Sequence, residues 1–287
     1  MPRGAVARKL HGNRFGLDTR QTIPSHPLRM KLWCPVLVFL AVAARALGGD
    51  FASDFAVVMV DDATERKLGA FPYDRAQYAK AIDACVRLEA KAVVLKFFFD
   101  QAKSPEGDAA LATAMKKLPV AIQTRLEATE GTAQMLAPRF KFGDHRLPAA
   151  ERGDLGWMPL PALLDAAAAL GFVDFDGPTI PLVEEYRGAS YRSLVLCCLE
   201  LATGKPARAE AGGKIYVGDG WLPVDANNVW HGSLKAAEPV KTIAFADLLD
   251  GTVPAGSIAG RVIILGWDSA KTPTLPTERG EMRIHQV

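Results

Sequence analysis

Acidic residues directly after two apolar runs are the groups in this chain best placed to do chemistry. Asp61 and Asp62 follow the run FAVVMV, and Asp100 follows the run KAVVLKFFF. About thirty residues with a helical pattern separate the runs, a crossover length typical of a parallel βαβ unit rather than a hairpin. Because open α/β sheets usually bind ligands in the crevice beyond the carboxyl ends of their strands, these carboxylates indicate a candidate binding site.

A lysine and a further carboxylate extend this group. Lys96 lies inside the second run, and a lysine is seldom fully buried unless it is paired, so we expect an ion pair with Asp61 or Asp62 on the neighbouring strand. Asp268 follows a third apolar run, RVIILGW. The candidate ligand-binding residues are therefore Asp61, Asp62, Lys96, Asp100 and Asp268.

A structural role competes with ligand binding at two of these acids. Asp is a preferred N-cap residue, so Asp61 or Asp62 can cap a helix that begins near Ala63, with Glu65 in its first turn. Capping is the favoured interpretation of the pair, and coordination of a ligand or cation is the alternative. An ion pair with Lys96 could also hold an anionic ligand.

Motifs for catalysis and for cofactors are missing from the sequence. It contains no GxSxG, HExxH or GxxxxGK[ST] pattern and no GxGxxG after a strand, and its histidines are too scattered for a metal cluster or a triad. We therefore predict a protein that is not an enzyme and that uses no cofactor and no metal ion. Outside the N-terminal region the cysteines are Cys85, Cys197 and Cys198, an odd number that indicates buried thiols rather than a disulfide framework.

The first 46 residues differ in character from the rest of the chain. They carry eight Lys or Arg and one Asp, so the remaining residues hold a net charge of −5 within a total of +2. An acidic body argues against nucleic-acid binding, which normally requires a basic surface. Residues 1–29 show no apolar periodicity, and we predict a disordered basic extension there.

From Met30 the chain has the layout of a secretory signal peptide. One lysine precedes an apolar run from Leu32 to Ala44, and Ala44-Arg45-Ala46 fits a small-x-small cleavage site. The run is about 13 residues long, short of the roughly 20 that a membrane-spanning helix needs. Residues 30–46 are therefore predicted to be a cleaved signal, with an uncleaved short membrane anchor and a buried helix as alternatives. We expect an exported protein.

The rest of the chain alternates strands and helices. This order predicts a single α/β domain with a mixed, mainly parallel central sheet flanked by helices. The predicted strands are 55–61, 91–99, 120–125, 171–175, 179–186 and 261–267, with a further β-rich patch at 214–231. The predicted helices are 62–69, 75–90, 106–117, 161–170, 190–203 and 244–250. The Asp176-Gly177 pair predicts a hairpin between strands 171–175 and 179–186.

The serial order of several segments resembles the CHASE type-two family. Members of that family are extracytoplasmic sensor domains of bacterial histidine kinases, nucleotide cyclases and related receptors. The matching segments include VVMVDDATERKLGAFPYDRAQYAKAIDAC, KAVVLKFFFDQ, GFVDFDGPTIPLV and IAFADLLDGTVPAGSIAGRVIILG, and the closing GEMRIH is similar to the terminal element of the family. The resemblance covers residues 55–286, within a domain that we place at 51–287.

The resemblance implies a sensory domain in the periplasm or on the outer face of the cytoplasmic membrane. It would bind an unidentified small-molecule ligand and work with a membrane receptor or kinase. The chain departs from the family at Lys96, where members usually have Asp, and at Pro178-Thr179, where they commonly have an Arg pair. It also lacks the membrane helices and output domain that usually follow, so a free-standing protein and a truncated receptor both remain open.

Two other interpretations belong to different functional classes. An exported hydrolase could use the acidic cluster with a divalent cation. A receptor remnant without function would bind no ligand and turn over no substrate.

Overall fold

The computed structural model describes most of the chain after residue 50. The described residues are 51–127, 129, 131–143, 147–174, 179–210, 213–231, 242–268, 275–277 and 280–282. The predictions for residues 1–46, for the Asp176-Gly177 turn and for the chain end after residue 282 lie outside them. Within these ranges, every helix is too short or too polar to cross a membrane.

Helices and strands alternate along the chain, as predicted. The helices are α1 (Phe51–Asp54), α2 (Asp62–Leu68), α3 (Arg75–Arg87), α4 (Pro105–Ala114), α5 (Pro161–Ala166), α6 (Leu194–Thr203) and α7 (Phe245–Asp250). The central strands are β1 (Phe55–Val60), β2 (Ala92–Leu95), β3 (Val120–Glu127), β5 (Leu155–Trp157), β6 (Ala169–Phe172), β14 (Thr242–Ala244) and β15 (Val262–Trp267). The smaller sheets use β4 (Ala150–Glu151), β7 (Ile180–Pro181), β8 (Val183–Tyr186), β9 (Ala189–Arg192), β10 (Arg208–Glu210), β11 (Lys214–Val217), β12 (Gly220–Pro223), β13 (Val229–Trp230), β16 (Leu275–Thr277) and β17 (Gly280–Met282).

The central sheet has the strand order β14-β1-β15-β2-β3, and β6 and β5 both pair with β3. Every pairing in it is parallel except that of β5 with β3. Its inner strands β1 and β2 are buried along their whole length, because both faces of the sheet are covered and each of these strands is a continuous apolar run. The predicted fold class, α/β with a mixed, mainly parallel sheet, is confirmed.

Two apolar cores lie on opposite faces of this sheet. One core contains Val58, Ile82 and Leu111, and it joins the sheet to α3, α4, α5 and α7. The other contains Val57 and Leu196, and it joins the sheet to α6 and to the small sheet β10-β11-β12. Gly171 permits the close approach of α6, because a Cβ there would lie 2.5 Å from the backbone nitrogen of Leu194.

The predicted hairpin between strands 171–175 and 179–186 is wrong. Strand β6 pairs in parallel with β3, whereas β8 pairs with β9, a segment assigned to helix from its sequence. Strands β8 and β9 are joined by the turn Arg187-Gly188, with φ values of +50° and +74°. Positive φ at both central residues is the conformation whose twist suits a two-residue hairpin. Helix α6 therefore begins only at Leu194, after Ser193, whose Oγ accepts a hydrogen bond from Leu196 N at 3.3 Å.

Candidate functional site

An open cleft of about 310 Å³ lies at the carboxyl ends of β1 and β15. Its walls come from the end of β1, the first turns of α2, the edge strand β14 and the residue after β15. The lining residues are Met59, Asp61, Asp62, Ala63, Arg66, Thr242 and Asp268. Three of the five residues proposed from the sequence are thus brought together.

The register of the parallel strands places Asp61 beside Asp268. Val60 pairs with Trp267, and Asp268 N donates a hydrogen bond to Val60 O at 3.0 Å. The two acids are therefore the next residues along adjacent strands. Side chains alternate between the faces of a sheet, so both carboxylates continue the face that carries Met59.

Helix α2 begins directly at the cleft, because Asp61 caps it. Asp61 Oδ1 accepts a hydrogen bond from Thr64 N at 2.8 Å, and the helix runs from Asp62. The predicted capping role is confirmed for Asp61. The same residue also lines the cleft, so capping and exposure to a ligand are not alternatives here.

The lining of the cleft has an excess of negative charge. Three carboxylates face one guanidinium, that of Arg66, and Asp268 is only 3% exposed. In the loop after α2, burial first, and then the negative charges of Glu65 and Asp61, raise the pKa of Tyr73 to about 12. A cationic group is the natural complement of such a surface.

Lys96 lies on the same face of the sheet but does not line the cleft. The expectation that it neighbours the strand of Asp61 is wrong, because β15 lies between β1 and β2. Its backbone N donates to Leu265 O at 2.9 Å, and its side chain is buried. Its positive charge acts on Cys198 of α6, where it partly offsets the burial that raises the pKa of this thiol to about 12.

Gln123 is a buried polar residue that the sequence analysis missed. Leu95 pairs with Ile122, so Gln123 follows at the level of Lys96 on the adjacent strand. It is 1% exposed, and its Oε1 has no hydrogen-bond partner within the described part of the chain. The signal that singled out Lys96, a polar residue inside an apolar run, was also present here in VAIQTRL.

Asp100 lies outside the cleft. It is exposed in the segment after β2. The residues that follow it form hydrogen bonds and an ion pair with the start of α3. The guanidinium of Arg75 donates to Gln101 O and forms an ion pair with Asp108, and Lys103 Nζ donates to Pro72 O at 2.7 Å. Hydrogen bonds and an ion pair within the protein thus close off the end of β2.

Arg66, Thr242 and Met59 line the cleft and were not predicted from the sequence. Arg66 could have been found, since it lies four residues after Asp62 on one face of a predicted helix. Thr242 could not, because only the pairing of β14 with the outer edge of β1 brings it there.

Metal ligands and reactive thiols are not evident in the described ranges. No group of three or more His, Cys, Asp or Glu residues among them has the geometry to hold a metal ion. Cys85, Cys197 and Cys198 are free and buried, as their sequence context predicted. Burial raises the pKa of Cys85 to about 12 and that of Cys197 well above its ordinary value.

A family model establishes the family membership that the order of the sequence segments indicated. The model of the CHASE2 domain matches residues 36–277. The chain belongs to the CHASE2 family. CHASE2 domains are extracytoplasmic sensor domains, so the protein has a sensory role in signal transduction. Neither the curated proteins nor the solved structures include a significant match to this CHASE2 chain.

Proposed function

We propose that this CHASE2 protein detects a small-molecule ligand that binds in the cleft between α2 and the ends of β1 and β15. The observation that carries the proposal is the meeting of Asp61, Asp62 and Asp268 on one open cleft. This cleft lies at the carboxyl edge of a parallel sheet, where ligands bind in open α/β folds. The role is recognition rather than catalysis.

The lining residues indicate which ligands fit. The carboxylates of Asp61, Asp62 and Asp268 supply acceptors for an ammonium group, and the guanidinium of Arg66 offers N–H donors to a negatively charged group. Met59 contributes apolar surface. A small organic cation or a zwitterion is therefore the complementary ligand. Lys96 and Asp100, which do not line the cleft, would influence binding only through their neighbours.

The cellular setting of this role is outside the cytoplasm. An export signal at residues 30–46 would deliver the domain to the periplasm or to the outer face of the cytoplasmic membrane. There it would act with a membrane receptor or kinase, either as a separate protein or as the sensory part of a longer one.

Thermal melting with small charged molecules tests the proposal. The purified protein is melted alone and with putrescine, lysine, succinate or phosphate. A ligand present at ten times its Kd raises the melting temperature by roughly 3 to 6 °C, since it stabilises only the folded state. We expect such a shift from at least one amine, and none from succinate or phosphate.

Matched variants locate the binding. Asp268→Asn removes a carboxylate of the cleft and should abolish the shift, whereas Asp100→Asn removes one outside the cleft and should leave it unchanged. The proposal fails if no amine stabilises the protein or if the shift persists in Asp268→Asn. Turnover of phosphoester or glycoside substrates with Mg²⁺ or Mn²⁺, lost in Asp61→Ala, would instead establish the hydrolase.

A further inference from the structure

The end of β15 lies against helix α2 through Trp267, its last residue, and borders the cleft through Asp268, the residue that follows. Asp268 lines the cleft on one side of the helix, whereas Trp267, the residue before it, points to the opposite face of the sheet and packs against the core there. Trp267 Nε1 donates a hydrogen bond to Glu65 Oε1 of α2 at 3.0 Å. The end of this strand therefore borders the cleft and also contacts α2, the helix that forms one wall of the cleft.

The same tryptophan also holds the segment that follows α2. Its ring stacks on Phe71 with centroids 4.7 Å apart and an interplanar angle of 14°. Between the helix and Phe71 lies Gly69, which ends α2 with a φ of +92° and has open space on its Cβ side. A residue with this freedom can change its backbone angles as the helix moves.

Helix α2 is buried far less than its neighbour α3. Of its seven residues only Thr64 is buried, and Thr64 Oγ1 accepts a hydrogen bond from Ala246 N at 3.2 Å. Helix α3 has thirteen residues, of which seven are buried. Because opening a segment exposes the apolar area that it buries, α2 needs much less free energy to detach than α3 does.

We propose that α2 is a movable wall, or lid, of the cleft, and that the hydrogen bond from Trp267 to Glu65 is its latch. The lid detaches by local unfolding between its attachment to β1 at Asp61 and the flexible Gly69, while the sheet and α3 stay folded. Detachment moves Ala63 and Arg66 away from Asp268 and widens the cleft for a ligand. This role of α2 rests on the proposed function only in so far as the cleft is the ligand site.

Native-state hydrogen exchange tests the lid without any ligand. The amides of α2, such as Glu65 N and Gly69 N, which donate to Asp61 O and Glu65 O, should exchange faster than the buried amides of α3, with little dependence on denaturant. Trp267→Phe keeps an aromatic ring but removes the N–H donor. It should accelerate exchange in α2 by roughly ten- to a hundredfold, the effect of losing a hydrogen bond to a charged acceptor, and leave α3 unchanged.

Two further variants keep the test decisive. Glu65→Ala removes the same bond from the helix side and should give the same acceleration, even if Trp267→Phe does not fold. Lys67→Ala removes an ion pair with Asp250 whose side chains are 51% and 38% exposed, and it should change α2 exchange by less than about threefold. Equal exchange of α2 and α3, or equal acceleration of both by Trp267→Phe, would overturn the lid.

The two proposals can fail separately. A melting experiment without any shift removes the proposed amine ligand but leaves fast, latch-dependent exchange of α2 intact. A melting shift in a protein whose α2 exchanges only by global unfolding supports the binding site and refutes the lid.

Discussion

The ends of β1 and β2 carry similar sequences but have opposite surroundings. Each strand belongs to an apolar run of the sequence that ends at aspartate, Asp61 directly after β1 and Asp100 five residues after β2. After β1, Asp61 caps α2 at once, and the carboxylates stay on the wall of an open cleft. After β2, nine residues precede α4, and this segment folds onto the start of α3. Arg75 and Asp74 bind Gln101 and Ser104 of the segment, and Lys103 of the segment binds Pro72 O.

The difference shows what converts a strand end into a binding surface. Both strand ends have an acidic residue nearby. The number of residues before the next helix decides whether polar groups of the protein form hydrogen bonds with one another there. A helix that begins immediately leaves little chain to fold back over the edge. A long connection supplies the donors and acceptors that close it.

Removing Arg75 should have the largest effect on stability. Its side chain holds together the region after β2, which we call the closed end. Its side chain is 5% exposed and pairs with Asp108, which is 14% exposed, and it also lies 5.2 Å from the ring centroid of Phe99. Arg75→Ala leaves a poorly solvated carboxylate without its partner and should lower the free energy of unfolding by roughly 3 to 5 kcal/mol. Urea unfolding measures this loss.

Lys117→Ala is the matched control for Arg75→Ala. It breaks the pair of Lys117 with Asp83, whose side chains are 46% and 39% exposed, and it should lower the free energy of unfolding by less than about 1 kcal/mol. If the two variants lose equal stability, the closed end is not held by its buried ion pair, and the contrast between the two ends disappears.

The cleft at the end of β1, which we call the open end, carries negative charge. This charge predicts a smaller effect, on the rate of a chemical reaction. A cysteine at Thr242, on the cleft wall, should react several-fold faster with a cationic than with an anionic methanethiosulfonate, because the carboxylates attract the cation. Adding Asp268→Asn should reduce this preference, whereas adding Asp100→Asn should not. Stopped-flow labelling at low and high salt measures the rates, and salt should weaken the preference.

The native thiols do not interfere with this measurement. Cys85, Cys197 and Cys198 are buried and their pKa values are raised, so they stay unreactive in the folded protein, and Cys34→Ser removes the fourth. Cysteine at Val86, which is 38% exposed on α3, serves as a reference. An equal preference at Val86 and Thr242 would show that the cleft carries no special charge.

The smallest expected effect concerns acid at the closed end. The hydrogen bond from Ser104 Oγ, and then that from Ala76 N, hold the pKa of Asp74 below its ordinary value of 3.8. A lowered pKa means that Asp74 stabilises the fold above its unfolded pKa and loses this contribution as the pH falls through its folded pKa. Asp74→Asn should therefore be less stable than wild type near neutrality, and the difference should shrink in acid.

Urea midpoints measured near pH 6 and near pH 3 measure this difference. A gap between wild type and Asp74→Asn that stays constant over this range would exclude the contribution of the Asp74 charge. The corresponding Asp61→Asn variant then compares the cap of the open end under the same conditions.

The sequence allowed the elements and the fold class to be predicted because apolar runs and caps are local signals. It could not order the strands, since FAVVMV, AVVL and VIILGW are equally apolar and nothing local places β15 between β1 and β2. The prediction that Lys96 lies on the strand next to that of Asp61 was wrong for that reason. Asp61 and Asp268 were nevertheless predicted to lie close together, because both follow parallel strands, and such strands end at one edge.

The errors in local structure have equally physical origins. The β8-β9 hairpin was missed because Arg at its first turn position is an unusual residue for positive φ, and the apolar pattern of α6 extends to the strand before it. The closed end could not be anticipated, since the contacts of Arg75 with Gln101 and Asp108 depend on how α3 and α4 pack.

The pairing of β1 with β15 constrains the order in which the chain can fold. Glu65 and Trp267 are separated by 202 positions, so the first strand must wait for almost the last before its edge is complete. Until β15 is available, β1 stays without its central partner. The cleft at this edge is consequently complete only when the far end of the polypeptide has paired with β1, and a chain that stops before β15 would lack it.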